Sequence, residues 1–447
     1  PAVVAGELHA VVAGGGDAVE NLLHREVQFA NRVEIDGCPY HTLSSTGRRL
    51  TVRDSDALAG CHRETGSVAP PANRHTTAGS RGLLCGPTER GVMTHDVALI
   101  GTGPEPDNPV WGESAAMAYQ HADGYRDRDD CEIVACADLV RENAEAFADE
   151  FDIDDDHIYE DYTEMLDTVD PDIVSISTPV PTHAPIVLDC IDSDVPAAIH
   201  CEKPMATTYG DARLMAQEAH RRDIQLTFNH QRRFSPVWRE PKEALDAGRI
   251  GDLVRVEVGT STLLDNGTHH IDLATMYADE SPVEWVIGQI DYRDEHLKYG
   301  AHNENQGLVQ WAYESGVQGI ATTGFGEDGV GVHHRLQGTD GTIEVTPWGS
   351  PQARIREDGG DWEPLVDGVE NSSAVPPAID HVVECLNDGT EPEISARHAL
   401  AVTEIIFAVW ASSRRRGRVD LPLDIDDNPL EAMVESGDLT PEPADEG

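Results

Sequence analysis

Lysine is nearly absent from this sequence, which has only three in 447 residues: Lys203, Lys242 and Lys298. Lysines and arginines together number 32 against 82 acidic residues, so the formal net charge is −50. A field of that sign repels nucleic acid and anionic membranes, and neither is an expected partner. Because 39% of the residues are hydrophobic and recur periodically, the acidity indicates a folded, salt-adapted (halophilic) protein and not a disordered chain.

Paired cysteine spacings and long apolar runs are also missing. The eight cysteines follow no disulfide or zinc pattern, and Cys136, Cys190 and Cys201 lie inside apolar runs, as buried thiols do in a reducing compartment. No apolar run approaches the ~18 residues that a membrane-spanning helix needs. The N-terminus lacks the order of regions of a signal peptide. We therefore expect a cytoplasmic protein without a metal site.

The first 92 residues differ from the rest of the chain in charge. They carry ten acidic residues and nine arginines, a net of −1, so the remaining residues carry −49. Met93 directly precedes the strand-like segment "THDVALIGTG". We expect translation to begin at Met93, with residues 1–92 a wrongly assigned extension or a poorly ordered leader. A small independent N-terminal domain is the alternative.

From residue 95, short apolar runs alternate with amphipathic segments, which is the pattern of βαβ units. The predicted strands are 96–100, 132–138, 172–178, 197–202 and 224–229. The helical patterns between them are 113–122, 141–151, 162–169, 183–191 and 209–222. This order predicts an α/β fold with a doubly wound parallel sheet, a Rossmann domain, over residues 93–232.

After about residue 235 the pattern changes to longer alternating strands joined by turn sequences. The turns are "ESG" at 314–316, "TDG" at 339–341 and "DGGD" at 358–361. We predict a second α/β domain with an open antiparallel sheet over 233–425. Helices at 376–388 and 396–413 complete it, and the second of them is expected to pack back on the Rossmann domain. Residues 426–447 are predicted to form a frayed acidic tail.

A glycine turn follows the first predicted strand in "ALIGTGPEPDNP". Gly101 and Gly103 would let the backbone turn tightly beside a dinucleotide pyrophosphate, although the third glycine of the usual fingerprint is displaced to Gly112. The second strand ends at Asp138, whose carboxylate can bind the adenosine ribose and so favours NAD, while nearby Arg141 leaves NADP open. The alternatives are a tight structural turn and an incidental surface aspartate.

Two further motifs follow the ends of later strands, where doubly wound sheets bind their ligands. "STPVPTH" places Thr178, Pro179 and His183 to face a cofactor, and "CEKP" places Glu202 and Lys203 beside it. A lysine there can hydrogen-bond a substrate hydroxyl and stabilise alkoxide character as hydride leaves. A proline-rich turn and a surface Glu–Lys ion pair are the structural alternatives, and the rarity of lysine disfavours the second.

The segment "LLDNGTHHIDL" carries a third candidate group. Asp265 and His269 are four residues apart, so a helix that begins near Gly267 would put the carboxylate at its N-terminal edge and the imidazole in its first turn. The carboxylate could then orient His269 as a general base. Half of a metal site and a plain helix cap are the alternatives, but no further ligands gather at metal spacing.

Together, the GTG turn, "VACAD", "STPVPTH", "CEKP" and "DNGTHHIDL" resemble the glucose-fructose oxidoreductase, inositol dehydrogenase and rhizopine-catabolism (Gfo/Idh/MocA) family over residues 94–425. The resemblance implies an NAD(P)-binding Rossmann domain and a C-terminal α/β domain. It also implies that Lys203 contacts both substrate and nicotinamide. Asp265 and His269 match the family's catalytic pair, with His269 as proton acceptor. Asn229 in "FNHQRRF" is expected to line the substrate pocket.

The expected activity is hydride transfer between nicotinamide and a secondary alcohol of a sugar or polyol, such as an inositol or an aldose. One alternative is a non-catalytic protein that senses NAD(P) or a sugar. Another is an oxidoreductase that moves hydride between two sugars without releasing its cofactor. An exposed face of the antiparallel sheet predicts a homodimer or homotetramer.

Overall fold

The structure is a computed structural model of the chain, and it describes residues 94–104, 117–370 and 373–443. The predictions for residues 1–92 and for Gly112 lie outside the described residues. All described residues belong to a single compact unit.

The first domain contains six short strands. They are β1 (His95–Ile100), β2 (Cys131–Ala137), β3 (Ile158–Tyr159), β4 (Ile173–Ile176), β5 (Ala198–Cys201) and β6 (Gln225–Phe228). The helices that alternate with them are α1 (Met117–Arg126), α2 (Arg141–Phe151), α3 (Tyr162–Val169), α4 (His183–Asp192) and α5 (Tyr209–Arg222). All strand pairs are parallel, in the order β3-β2-β1-β4-β5-β6. The doubly wound sheet is therefore confirmed, and the two-residue strand β3 is an addition to it.

Both faces of this sheet are buried, because successive side chains of a strand point to opposite sides. Val97 and Leu99 of β1 pack with α1 and α2, whereas Ala98 and Ile100 pack with α4 and α5. Burial on both faces explains why these strands appear in the sequence as continuous apolar runs. The polar residues that follow the strands are left at the carboxyl edge of the sheet.

The second domain is built on a nine-stranded sheet and a short separate hairpin. The strands are β7 (Leu253–Gly259), β8 (Val283–Asp291), β11 (Gln306–Tyr313), β12 (Gln318–Thr323), β13 (His334–Gly338), β14 (Gly341–Val345), β15 (Ala353–Glu357), β16 (Glu363–Val366) and β17 (Val419–Asp420), and the hairpin is β9 (Leu297–Lys298) with β10 (Ala301–His302). The sheet order is β16-β15-β14-β13-β7-β12-β11-β8-β17. The three predicted turns join β11 to β12, β13 to β14 and β15 to β16 in antiparallel pairs, whereas β7 and β12 are parallel.

Five further helices follow the first domain in the chain, and one of them, Val375–Asp388, packs on α1 of the first domain and not on this sheet. They are α6 (Pro236–Asp246), α7 (Gly267–Tyr277), α8 (Val375–Asp388), α9 (Ala396–Arg415) and α10 (Pro429–Glu435). Helix α9 belongs to both domains, because Ala399 near its start lies in the core of the first domain and Trp410 near its end lies in the core of the second. Within the described ranges, no helix combines the length and apolar character needed to cross a membrane.

Helix α10 lies within the segment predicted to be a frayed acidic tail. Its Leu430 and Met433 side chains are buried in the core of the second domain. The Asn428 side chain caps the helix by accepting hydrogen bonds from the backbone N–H groups of Leu430 and Glu431. The tail prediction is wrong for residues 429–435, because two buried apolar side chains and a cap are enough to hold one acidic helix against the core.

Candidate active site

The turn after β1 brings three strand ends of the first domain together. Gly101 has a φ of +82°, and a Cβ on it would lie 2.4 Å from Cγ2 of Thr178. The backbone N–H of Gly103 donates to Oδ2 of Asp138 at 2.9 Å, and the Thr102 hydroxyl donates to the same oxygen at 3.1 Å. The glycine turn, the end of β2 and the end of β4 therefore meet at the edge where doubly wound sheets bind nucleotides.

Gly101→Ala is expected to lower the free energy of unfolding by about 2–4 kcal/mol, because the residue has a positive φ and its Cβ would meet Thr178. Affinity for NADH should fall with it, since the turn must widen. Gly248→Ala is the matched control, because Gly248 has a φ of +73° but nothing within 4 Å of its Cβ position. Thermal unfolding and fluorescence titration with NADH measure both effects. Equal losses in the two variants would refute the role of the close approach.

Glu202 follows β5 at the carboxyl edge of the first sheet, where it is buried within a small polar network. Its Oε1 accepts a hydrogen bond from Nδ2 of Asn229 at 2.6 Å and lies 3.1 Å from Nε2 of His121, while Oε2 accepts from the backbone N–H of Lys203 at 3.1 Å. Burial raises the pKa of Glu202. The hydrogen bond and charge of His121, together with Lys203 and Asn229, outweigh burial and lower this pKa to about 2. The ionised carboxylate fixes the loop that carries Lys203.

Three residues predicted to contact ligands are instead buried behind the site. His183 has no exposed surface, and its Nδ1 and Nε2 each lie 2.8 Å from a backbone oxygen, those of Pro204 and Thr178 respectively. Asn229 is fully buried, and both Glu202 oxygens are occupied by protein donors. The predictions that His183 and Glu202 bind the cofactor and that Asn229 lines the pocket are corrected, because all three side chains are buried and hydrogen-bonded to protein groups.

Thr178 and Pro179 do lie at the open edge, as predicted. Thr178 is half-buried at the end of β4 and accepts a hydrogen bond from the Thr182 hydroxyl at 2.9 Å. Pro179 is exposed. Their contact with a cofactor stays a prediction.

Lys203 reaches from the end of β5 to the loop before α7 in the second domain. Its Nζ lies 3.3 Å from Oδ1 of Asp265 and 3.3 Å from the backbone oxygen of the same residue. The side chains are 18% and 23% exposed, so the pair is accessible to a ligand. The backbone N–H of Asp265 donates to Oδ1 of Asn303 at 2.9 Å, and that of Leu263 donates to Oε1 of the buried Glu304 at 2.8 Å. These bonds hold the loop in place.

His269 lies in the first turn of α7, which begins at Gly267 as predicted. The residue is 4% exposed, and its Nδ1 is buried with no hydrogen-bond partner in the described part of the chain. Burial, followed by the positive charges of Arg232 and Lys203, holds the pKa of His269 well below its ordinary value. The imidazole is therefore neutral near pH 7, the protonation state that a general base requires.

Asp265 does not orient His269 as the sequence predicts. It pairs with Lys203, and no hydrogen bond joins it to His269 among the described residues. An ammonium group is a stronger partner for a carboxylate than a neutral imidazole is. The His269 ring is flanked instead by that of His230, with the centroids 5.8 Å apart and the rings nearly perpendicular.

Four residues of this region were not predicted: His121, Arg232, Asn303 and Glu304. The sequence marks only one of them, since a doubled arginine stands out in a chain with few basic residues. The other three act through partners far away along the chain. Within the residues that the structure describes, no group of three or more His, Cys, Asp or Glu could hold a metal ion.

Comparison with known families agrees with this arrangement. Residues 109–230 match the profile described as "Oxidoreductase family, NAD-binding Rossmann fold", and residues 242–421 match "Oxidoreductase family, C-terminal alpha/beta domain". The two profiles together cover more than half of the chain. The chain belongs to the Gfo/Idh/MocA family, which makes it an enzyme with an NAD-binding Rossmann domain and confirms the resemblance found in the sequence.

Individual relatives are distant in sequence but similar over most of their length. The chain is 25% identical to a D-apiose dehydrogenase of Paraburkholderia graminis over 68% of this chain and 87% of the relative. It is 24% identical to a D-xylose 1-dehydrogenase [NADP(+)] of Haloarcula marismortui over 70% and 94%. The crystal structure of an aldose-aldose oxidoreductase from Caulobacter crescentus, 20% identical, superposes with a TM-score of 0.60 over 73% of this chain and 100% of that one. At that identity the structural match shows the fold alone.

Proposed function

We propose that this protein transfers hydride between NAD or NADP and a secondary alcohol of a sugar or polyol. The observation that carries the proposal is the pair formed by Lys203, at a strand end of the Rossmann domain, and Asp265, four residues before the neutral His269. The relatives named D-apiose and D-xylose dehydrogenases support a sugar as the substrate.

The residues at the carboxyl edge fit a nicotinamide dinucleotide. Gly101 and Gly103 carry no side chain that would keep a pyrophosphate away from the turn, whose N–H groups are bonded to Ala137 and Asp138. Asp138 follows the next strand and is the proposed ribose acceptor. We expect Thr178 and Pro179, at the end of β4, to face the nicotinamide end of the dinucleotide. When bound, the nicotinamide accepts or returns the hydride. Asp138 favours NAD, and the NADP-dependent xylose dehydrogenase among the relatives leaves NADP open.

The protein's own groups then handle the substrate hydroxyl. Lys203 donates a hydrogen bond from Nζ to the hydroxyl oxygen and stabilises negative charge as it develops there. Asp265 holds that ammonium group in place through their 3.3 Å contact. His269 takes the hydroxyl proton at Nε2, which it can do because its lowered pKa leaves it neutral.

Steady-state assays test the proposal. The purified protein is assayed in concentrated salt, as its charge of −50 recommends, with NAD and separately with NADP against a panel of sugars, inositols and sugar acids. Turnover with one or more of them is expected. A nucleotide that stays bound through purification and is reduced only once would favour hydride exchange between two sugars. Nucleotide binding without any reduction would favour a sensor.

We propose further that two copies associate through the outer face of the second sheet. Leu308 is 67% exposed, and Ile287 is 42% exposed on the neighbouring strand; both point away from the core. Ile320 extends this apolar area on the other side of β11. A monomer seldom leaves such an apolar patch exposed to water. In a two-fold symmetric dimer, the patch of each copy is covered by the same patch of the other copy.

Leu308→Glu is expected to convert a dimer or tetramer to monomers, because it puts a charge at the centre of this patch. Leu214→Glu is the control, since Leu214 is also exposed (39%) but lies on α5 of the first domain. Light scattering coupled to size-exclusion chromatography gives the mass. A monomeric wild-type protein, or a Leu308→Glu variant of unchanged mass, would exclude this interface.

A further inference from the structure

Arg232 is a partly buried arginine without a carboxylate partner. It lies just after β6, where Nη1 donates to Nε2 of His270 at 2.9 Å and Nη2 donates to Oδ1 of Asn266 at 2.8 Å. No Asp or Glu oxygen of the described residues lies within ion-pair distance of it. The other described arginines without such a partner are all exposed: Arg356, Arg415 and Arg416.

The adjacent Arg233 is buried and, unlike Arg232, is paired with carboxylates. Arg233 donates to both carboxylate oxygens of Asp272, at 2.7 and 2.6 Å, and to Glu280 at 2.5 Å. With 82 acidic residues available, a counter-ion for Arg232 would have been easy to place. A partly desolvated cation without one is costly, so the missing anion is expected to come from a ligand.

Neutral groups hold Arg232 without cancelling its charge. Because Nε2 of His270 accepts from the guanidinium, the proton of this imidazole is on Nδ1, which lies 3.0 Å from Nε2 of His334. Burial holds the pKa of both histidines well below the ordinary value, so neither adds charge. Trp238 packs against both rings, with centroids 5.6 and 5.1 Å away. Two of the five N–H groups of Arg232 are used, and three remain for a ligand.

Arg232 is also beside the reacting groups. Its partner Asn266 directly follows Asp265, and its charge is the strongest electrostatic influence on His269. Lys203 pairs with Asp265, whose charge also acts on Arg232, so the two cations share one partly exposed carboxylate at the pocket. Burial lowers the pKa of Arg232 to about 10, so it stays charged near neutral pH.

We infer that the substrate of the proposed hydride transfer carries a carboxylate and that Arg232 binds it, so that the enzyme acts on a sugar acid. This inference rests on the proposed function and narrows its substrate class. A carboxylate matches the planar fork of one guanidinium and the single surplus charge. A phosphate dianion carries one negative charge more than a single guanidinium offsets, and the negative field of the whole chain opposes it more strongly than it opposes a carboxylate.

The test compares sugars that differ only in one group. Values of kcat/KM are measured for glucose and glucuronate, for galactose and galacturonate, and for glucose 6-phosphate, with the full-length protein at fixed salt. The wild-type enzyme should prefer the sugar acids. Arg232→Gln should lower kcat/KM for a sugar acid by on the order of 10²-fold, mainly through KM, because it removes one partner of a desolvated charge pair. The neutral sugar should lose at least about tenfold less than the sugar acid, so the ratio of the two kcat/KM values reports binding of the carboxylate apart from the effect of Arg232 on His269.

Two further variants separate binding from structure. Arg232→Lys keeps the charge and should recover part of the preference for the acids. Arg356→Gln removes an exposed arginine that also lacks a carboxylate partner, and it should change neither member of a pair. A preference for the neutral sugars or for the phosphate, or equal losses on both members of a pair in Arg232→Gln, would overturn the inference.

Calorimetry distinguishes this inference from the proposed function. Glucuronate and galacturonate are titrated into the NADH complex of the wild type and of Arg232→Gln. Binding that depends on Arg232, in a protein that reduces no nucleotide with any sugar, would support the inference while the proposed function fails. Turnover of neutral sugars without detectable binding of either acid would uphold the proposed function and overturn the inference.

Discussion

Lys203→Ala is expected to lower kcat by roughly 10²–10³-fold, because it removes the donor that stabilises negative charge on the substrate oxygen. The affinity for NADH should change far less, since the glycine turn and Asp138 are untouched. The loss would also leave Asp265 without its partner at 3.3 Å, so the developing charge would face a bare carboxylate. Steady-state rates and NADH fluorescence titrations on the same preparation separate the two effects.

The scarcity of lysine makes the control simple. Lys298 is exposed in β9, and Lys298→Ala should keep the wild-type rate within about twofold. Lys203→Arg should recover only part of the activity, because a planar guanidinium does not place its donors as an ammonium group does. A Lys203→Ala enzyme that retains more than about a tenth of the wild-type kcat would remove this residue from the mechanism.

His269→Gln is expected to lower kcat/KM for alcohol oxidation by about 10²–10⁴-fold, the range for loss of a general base. The wild-type pH profile should show the titration of the same group. Only the neutral imidazole accepts a proton, and its pKa is lowered, so oxidation should weaken only well below the ordinary histidine value of about 6.5. In His269→Gln that acidic limb should disappear from the profile.

The control for this variant is His220→Gln. His220 is exposed in the last turn of α5, which leads into the start of β6, whereas the site lies at the ends of the strands. It should leave both the rate and the pH profile unchanged. An acidic limb above pH 6.5 in the wild type, or one that survives in His269→Gln, would assign the titration to another group.

Local sequence signals predicted much of the fold. Helices α2, α3 and α5 begin and end at the predicted residues. Each amphipathic pattern stops where the backbone turns to a left-handed conformation, at Asp152, Asp170 and Asp223 respectively. Asp161 and Thr208 precede two of these helices and accept hydrogen bonds from their first turns. Two of the hairpin turns of the second sheet were equally readable, because Gly316 and Gly359 adopt the positive φ that a tight connection needs.

The partners within the site could not be read in the same way. The motifs marked Lys203, Asp265 and His269 as candidate site residues. They did not predict that Asp265 pairs with Lys203, because these two residues are 62 apart in the chain. His183 looked like a cofactor ligand and is instead a buried link between two loops. Such choices depend on which polar groups the fold buries together, and sequence spacing does not contain that information.

Arg232 and Arg233 show the same limit at the smallest scale. They are neighbours of one residue type, yet Arg233 is fully paired with carboxylates and Arg232 is held only by neutral groups. Both partners lie on α7, with His270 against Arg232 and Asp272 against Arg233. The packing of this helix therefore decides which arginine meets a carboxylate. The sequence motifs therefore predicted the family, whereas the different partners of these two arginines could be read only from the structure.

The most direct test of hydride transfer is a single-turnover measurement with enzyme in excess over nucleotide. The protein is mixed with NAD or NADP and a pool of sugars, polyols and sugar acids, and reduced nicotinamide is followed by its near-ultraviolet absorbance and by mass spectrometry. We expect the wild-type protein to form reduced nucleotide and His269→Gln to form little or none in the same time. A wild-type protein that binds the nucleotide yet reduces none of it with any member of the pool would contradict the account.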